Sequence, residues 1–277
     1  MAPADGGSRP ARGTRTVSAP LERQVQVAGD ICRIWEKGEG EPLGVLPGLG
    51  GFPRWTPFLD ALAEERRVIV PSLPGFPGSA DQHRRLDGHL DWIAATLDLL
   101  EAADLAGSDL VAASVGGMLA ADVTALAPGF VRRLVLAASY GLYDDAEPGE
   151  NAFAQLPDDV MRVQTEVPEN YKAIFDPPEN PEESAEWQLR QYRAAEAAAR
   201  IVWPFGERGL AKRLHRIRVP VLLLWGAEDR IVPPAYAKRF ASGLAGPVET
   251  KILPGAGHQL WIDRPAEAAT AIREFLS

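Results

Sequence analysis

The sequence predicts an α/β fold: a mostly parallel central sheet flanked by helices, with a helical cap inserted between two of its strands. Three observations carry this expectation. Short apolar runs alternate with longer amphipathic ones along most of the chain. From Leu43 onward the short runs are too apolar for a sheet with one wet face, so they belong in the middle of a parallel sheet. One stretch, residues 141–213, has no buried-strand run and reads as short helices punctuated by prolines.

The elements follow in order. Strands are expected at 24–28, 31–36, 43–46, 68–70, 110–113, 134–137, 221–225 and 250–253. Helices, each polar on one side, are expected at 55–65, 89–102, 115–127, 236–244 and 266–276. Such alternation implies right-handed crossovers with helices on both sheet faces, and it puts binding groups at the carboxyl ends of the strands. Residues 21–140 and 214–277 then form the core, 141–213 a lid over those strand ends, and 1–20 a disordered tail. The first part of the lid is strongly acidic: between 144 and 186 only Arg162 and Lys172 stand against a run of Asp and Glu.

Composition narrows the function classes. A chain of 277 residues, 46% hydrophobic and 24% charged, has the make-up of one large globular domain or one domain with an insertion. No apolar stretch approaches the roughly 18 residues of a membrane span, and "MAPADGGSRPARGTRTVSAP" lacks the apolar centre of a secretory signal. The expectation is a cytoplasmic protein with no membrane partner. Cys32 is the single cysteine, which rules out an intrachain disulfide and a cysteine-based zinc site. A formal net charge of -9, with no Lys/Arg stripe interleaved with aromatics, argues against nucleic acid. No cluster of His and carboxylates suggests a metal.

The chemistry-bearing stretch is "LVAASVGGMLAAD", residues 110–122, where Ser114 joins an apolar run to an alanine-rich one. A strand that turns directly into a helix needs small residues two before and two after its nucleophile, because a larger side chain collides with the crossing backbone. Ala112, Gly116 and Gly117 meet that demand, although the pattern G-x-S-x-G asks for glycine at 112. Taken alone, the junction also fits a serine that merely lets helix pack on strand. Two later segments add weight: "VLLLWGAEDRIVPP" presents Asp229 after a strand, and "TKILPGAGHQLWIDRP" presents His258 after another. Asp144 and Asp145 are an alternative source of the acid, while His83, His89 and His215 lie in polar or helical contexts and read as solvent-facing.

A serine hydroxyl is a weak nucleophile at neutral pH, so a histidine must take its proton and return it to the leaving group, with a carboxylate fixing the imidazole. The developing oxyanion needs backbone N–H donors. Val115, after the serine, and Leu49, in "LPGLGG", are the candidates, with Gly48, Gly50 and Gly51 letting the loop come close. Phe52 and Trp261 are candidates to line the substrate pocket.

"LPGLGGFPRW", "PSLPGFPGS", "AASVGGMLA", "WGAEDRIVPP" and "GAGHQLWIDRP" stand in the order and approximate spacing of the serine α/β-hydrolase superfamily. The chain from Gln24 onward resembles its bacterial esterase, perhydrolase and carbon-carbon hydrolase branch with a helical cap. That resemblance implies the α/β-hydrolase fold and a Ser114, Asp229, His258 triad. Ser114 argues against the haloalkane dehalogenases and epoxide hydrolases, which are similar in fold but use aspartate there. Pro47-Gly48 replaces the usual His-Gly and removes a side-chain donor that braces the oxyanion loop; Ala112 replaces a glycine.

The expected function is a serine hydrolase, free of metal and cofactor, that cleaves a small or medium neutral carboxylic ester through an acyl-enzyme, as a monomer or homodimer with a small-molecule substrate. The alternatives are carbon-carbon bond hydrolysis of a vinylogous diketone and a ligand-binding hydrolase fold with negligible turnover. The acidic cap argues against anionic substrates unless Arg190 or Arg193 faces inward.

Overall fold

The computed structural model describes residues 19–27 and 29–277, so the tail expected at 1–20 lies outside the described residues apart from its last two positions. All eight expected strands form: β1 (Leu21–Val27), β2 (Asp30–Lys37), β3 (Pro42–Leu46), β4 (Arg67–Pro71), β5 (Ser108–Ala113), β6 (Val131–Ala137), β7 (Val221–Gly226) and β8 (Val248–Leu253). They make one sheet in the order β1-β2-β4-β3-β5-β6-β7-β8. The hairpin β1–β2 and its junction with β4 are antiparallel, and every other pairing is parallel.

The core helices are α1 (Pro57–Ala63), α2 (His89–Ala102), α3 (Ser114–Leu126), α7 (Ala235–Gly243), α8 (Leu260–Asp263) and α9 (Pro265–Phe275). Between β6 and β7 lie the three cap helices α4 (Pro157–Gln164), α5 (Pro168–Phe175) and α6 (Pro181–Val202). Each cap helix opens on proline, whose missing N–H costs nothing in the first turn.

Side-chain alternation explains why the central strands are continuous apolar runs. In β5, Leu110 and Ala112 enter a core shared with Trp92 and Leu99 of α2, whereas Val111 and Ala113 enter a second core with Leu59 of α1 and Ile272 of α9. Strand β7 splits likewise, with Leu223 and Trp225 on one side and Leu222 and Leu224 on the other. Both faces are covered, so both registers must be apolar.

Two expectations fail. Strand β8 is not a mid-sheet strand: it is the edge beyond β7, and Glu249, Thr250, Lys251 and Ile252 are exposed. Edge strands tolerate this polarity, and charge there discourages pairing with another chain. His83 is not solvent-facing but fully buried, packed against Gly75 and Ala197 of α6. His89 is half-buried, its Nε2 2.7 Å from the buried Asp122, which also accepts from Arg213 Nε at 2.6 Å. Only His215 is exposed. Among the described residues no helix is long and apolar enough to cross a membrane.

The amino ends of β5 and β6 are held by charge. Asp109 is fully buried and accepts hydrogen bonds from Arg66 (2.6 Å), Arg132 (2.9 Å) and Arg133 (2.9 Å). Burial raises its pKa, but the three guanidiniums outweigh burial and hold it well below the usual carboxylate range. Asp109→Asn leaves three cations facing one another, an expected loss of about 2–3 kcal/mol in urea denaturation, toward the low end for a broken buried pair because Arg132 is exposed. Because the folded-state pKa is depressed, the wild-type advantage is complete above about pH 4 and disappears as the pH falls through the folded-state value. A variant as stable as wild type at pH 7 would remove this account.

Candidate active site

At Ala113 the chain is still extended, with φ -110° and ψ 143°. At Ser114 it turns abruptly, with φ +52°, into the first turn of α3. Positive φ is costly for a residue with a Cβ and persists only where the surroundings enforce it. The surroundings here are close. A Cβ at Gly116 would overlap the carbonyl oxygen of Pro47, and one at Gly117 would come within 2.5 Å of Ser139 Oγ. Ala112 keeps its methyl in the core, so glycine is required after the serine but not before it.

The serine, histidine and aspartate come together. Ser114 Oγ lies 2.8 Å from His258 Nε2, and His258 Nδ1 lies 3.0 and 3.1 Å from the two carboxylate oxygens of Asp229. An ionised carboxylate only accepts, so Nδ1 carries the proton and Nε2 is left to accept from the serine hydroxyl. Asp229 is itself oriented by the backbone N–H groups of Ile231 and Val232, each 2.9 Å from Oδ1. All three side chains are buried. The Asp229 and His258 loops meet because Gly226 has no side chain: a Cβ there would overlap the carbonyl oxygens of Ala256 and Gly257. Tyr140 stands edge-on to the His258 ring, with centroids 5.8 Å apart.

The loop that carries Leu49 lies against Ser114, and Val115 follows it in α3. A Cβ at Gly48 would lie 2.9 Å from Ser114 Cβ and 2.8 Å from the Trp261 ring, so the loop runs directly against Ser114. It closes with Gly51 N donating to Gly48 O at 3.1 Å, and Gly50 and Gly51 both have positive φ. Val115 is in the first turn of α3, where backbone N–H groups have no intrahelical acceptor.

Several groups were not evident from sequence. Gln259 Nε2 donates to Gln164 Oε1 of α4 (2.5 Å) and to Leu49 O (3.4 Å), so a donor from the histidine loop reaches the loop that Pro47 leaves without one. Asp263 accepts from Gly257 N (2.7 Å), Glu166 N (3.0 Å), Val167 N (3.2 Å) and Thr165 Oγ1. The cap segment 164–167 is thereby latched to the segment that carries His258. The available signal was two polar residues, Gln259 and Asp263, four apart in an otherwise apolar run.

Other expected residues stand elsewhere. Phe52 and Trp261 do not line the cavity beneath the cap; they pack in the core beside Phe58 and Leu260. Asp144 pairs with Arg239 and leaves the His258 contact to Asp229. Arg193 pairs with Asp81 at 2.7 Å, and Arg190 faces an outer pocket. The cavity beneath the cap, about 590 Å³, is lined by Leu49 and Gly50 and by Phe153, Tyr171, Phe175 and Trp187 of the insertion. Among the described residues no group of three or more His, Cys, Asp or Glu could hold a metal ion.

The model of the alpha/beta hydrolase family matches residues 45–271, which span every element of this site. The chain belongs to that family. Over 99% of its length this hydrolase is 30% identical to the dihydrolipoyllysine-residue acetyltransferase component of the acetoin cleaving system of Pseudomonas putida, covering 72% of that protein. It is 26% identical to the 2-hydroxy-6-oxo-2,4-heptadienoate hydrolase of P. putida, over 94% of this chain and 98% of the other. Among solved structures it superposes on a bacterial membrane phospholipase A with a TM-score of 0.74, at 24% identity over 93% of this chain and 86% of that one.

Removing the Asp263 carboxylate leaves several buried donors without an acceptor, at about 1–3 kcal/mol for each group left unpaired. Asp263→Ala is therefore expected to lower the melting temperature and to speed proteolysis within 164–167. Unchanged proteolysis at that segment would mean that the latch does not hold the cap.

Proposed function

We propose that this hydrolase cleaves carboxylic esters through an acyl-enzyme on Ser114, with the acyl chain in the apolar cavity beneath the cap. The supporting observation is the continuous Ser114–His258–Asp229 hydrogen-bond chain set beside a loop that opens into that cavity. As Ser114 Oγ attacks the ester carbonyl carbon, its proton passes to His258 Nε2, and Asp229 stabilises the imidazolium through Nδ1–H. The carbonyl π pair moves onto oxygen, where the N–H groups of Leu49 and Val115 receive it. Collapse of the tetrahedral adduct breaks the bond to the leaving oxygen, which takes the proton from His258. Water, deprotonated by the same histidine, then attacks the acyl-serine and returns the enzyme to its resting state.

A second reading is carbon-carbon bond hydrolysis, favoured by the likeness to 2-hydroxy-6-oxo-2,4-heptadienoate hydrolase over nearly the whole of both chains. It would use the same attack, with the leaving carbon rather than oxygen taking the proton.

Initial rates on p-nitrophenyl esters of increasing acyl length test the proposal. Ser114→Ala should lose at least about 10³-fold in kcat, and the chain-length optimum should reflect the cap cavity. No serine-dependent turnover at any length, together with turnover of a dienone diketone, would replace the first reading by the second. Gln259→Leu, which keeps the bulk and removes the donor to Leu49 O, should lower kcat about tenfold with little change in KM, a fraction of the loss for an oxyanion donor itself. An equal fall in activity from KM alone would assign Gln259 to substrate binding instead.

A further inference from the structure

Beyond the cap cavity lies a second, polar pocket of about 360 Å³, lined by Glu22, Gln24, Arg33, Ser79, Arg190 and Gln191, among others. The two spaces adjoin, since Trp187 and Gln191 line both. One side of α6 therefore separates an apolar chamber from a polar one, and the two meet beside the loop that carries Leu49, where Gln191 Oε1 lies 3.7 Å from the Cβ position of Gly50.

Arg33 is the unusual member. Its guanidinium stacks on Trp35, 3.4 Å from the ring centroid, and its Nη2 donates to the carbonyl oxygens of Phe52 (3.0 Å) and Pro77 (2.9 Å). Stacking and two carbonyls fix the plane of the fork without neutralising it. Among the described residues no carboxylate lies within ion-pair distance of Arg33. Glu22, the only carboxylate lining the pocket, accepts from Trp35 Nε1 at 2.9 Å. Arg33 Nε and Gln191 Nε2 are buried with no hydrogen-bond partner. Burial pushes the Arg33 pKa down to about 10, with Glu22 acting in the other direction and the nearby Arg190 adding to the fall. Among the described residues the ion pair of Arg190 is an exposed contact with Glu186 at 3.6 Å, a pair of little worth.

A half-buried cation is normally matched by an anion. A pre-oriented guanidinium, with a second one and an amide donor facing the same space, is the donor arrangement that receives an oxyanion bidentately. We propose that the outer pocket is an oxyanion subsite centred on Arg33, Arg190 and Gln191, and that it takes a carboxylate at the far end of the substrate's acyl chain. The substrate is then a hemiester of a dicarboxylic acid: reacting carbonyl at Ser114, apolar middle in the cap cavity, carboxylate beside Arg33. Both cations that would meet this carboxylate, Arg33 of β2 and Arg190 of α6, line the outer pocket and offset the repulsion of the acidic cap. The assignment rests on the ester reading for its first contact and on the outer pocket alone for its last.

The test separates the two. Ser114→Ala protein, which cannot turn over, is titrated with glutarate, adipate, suberate and inorganic phosphate. Dicarboxylate affinity should rise with length to an optimum and fall at least tenfold when Arg190→Gln or Arg33→Gln is added. Arg190 is at the surface and its variant keeps the fold, so it carries the test should Arg33→Gln release the Phe52 and Pro77 carbonyls and unfold. In the serine enzyme, the ratio of kcat/KM for p-nitrophenyl hemisuberate to that for p-nitrophenyl octanoate should fall by the same factor in these variants. Phosphate binding as tight as any dicarboxylate, or dicarboxylate binding indifferent to both arginines, overturns the subsite. Arginine-dependent dicarboxylate binding without hydrolysis of either ester keeps the subsite and removes the ester reading.

Discussion

How closely backbone can approach backbone around Ser114 is the constraint on which the rest of the structure depends. The serine sits at positive φ, the Pro47 carbonyl lies where a Gly116 side chain would be, and Gly48 touches Ser114 Cβ. On the acid side, Gly226 lets the carbonyls of Ala256 and Gly257 cross the end of β7. Three loops from separate strands can share one point only because glycine stands at each crossing. A parallel sheet supplies this convergence: β3, β5, β7 and β8 all deliver their carboxyl ends to the same edge. What the site adds is the removal of Cβ atoms wherever two of those ends meet.

The sequence made the sheet legible because both of its faces are buried. Continuous apolar runs such as Leu222–Leu224 have no other stable placement in a chain of this composition. The edge strand β8 escaped the same logic. "TKIL" ends on apolar residues as a central strand does, yet Thr250, Lys251 and Ile252 face solvent at the rim. The triad was legible from three residue types each following a strand, and the structure brings them within hydrogen-bond distance. Residues whose role depends on a tertiary partner could not be read this way. Gln259, Asp263 and Gln164 are ordinary polar residues until α4 is laid against the histidine loop, and Trp261 is an ordinary loop aromatic until Gly48 packs on it.

The same contrast separates the cap from the core. The core helices are placed by apolar stripes against a sheet, a signal present in each helix. The acidic stretch of the cap buries a few apolar side chains, Val163 and Ile174 among them, and is further placed by hydrogen bonds to residues nearly 100 positions away: Gln164 to Gln259, and Thr165, Glu166 and Val167 to Asp263. Such contacts need no hydrophobic periodicity. That is why proline punctuation marked the cap as helical while leaving its orientation open.

The placement of the latch has a further physical consequence. The Gln259 amide touches the cap and the Leu49 loop at once, and Gln259 directly follows His258. The cap, His258 and the loop beside the serine therefore share one short segment. The same segment thus borders the buried Ser114–His258–Asp229 chain on one side and, through Leu49, the cavity on the other.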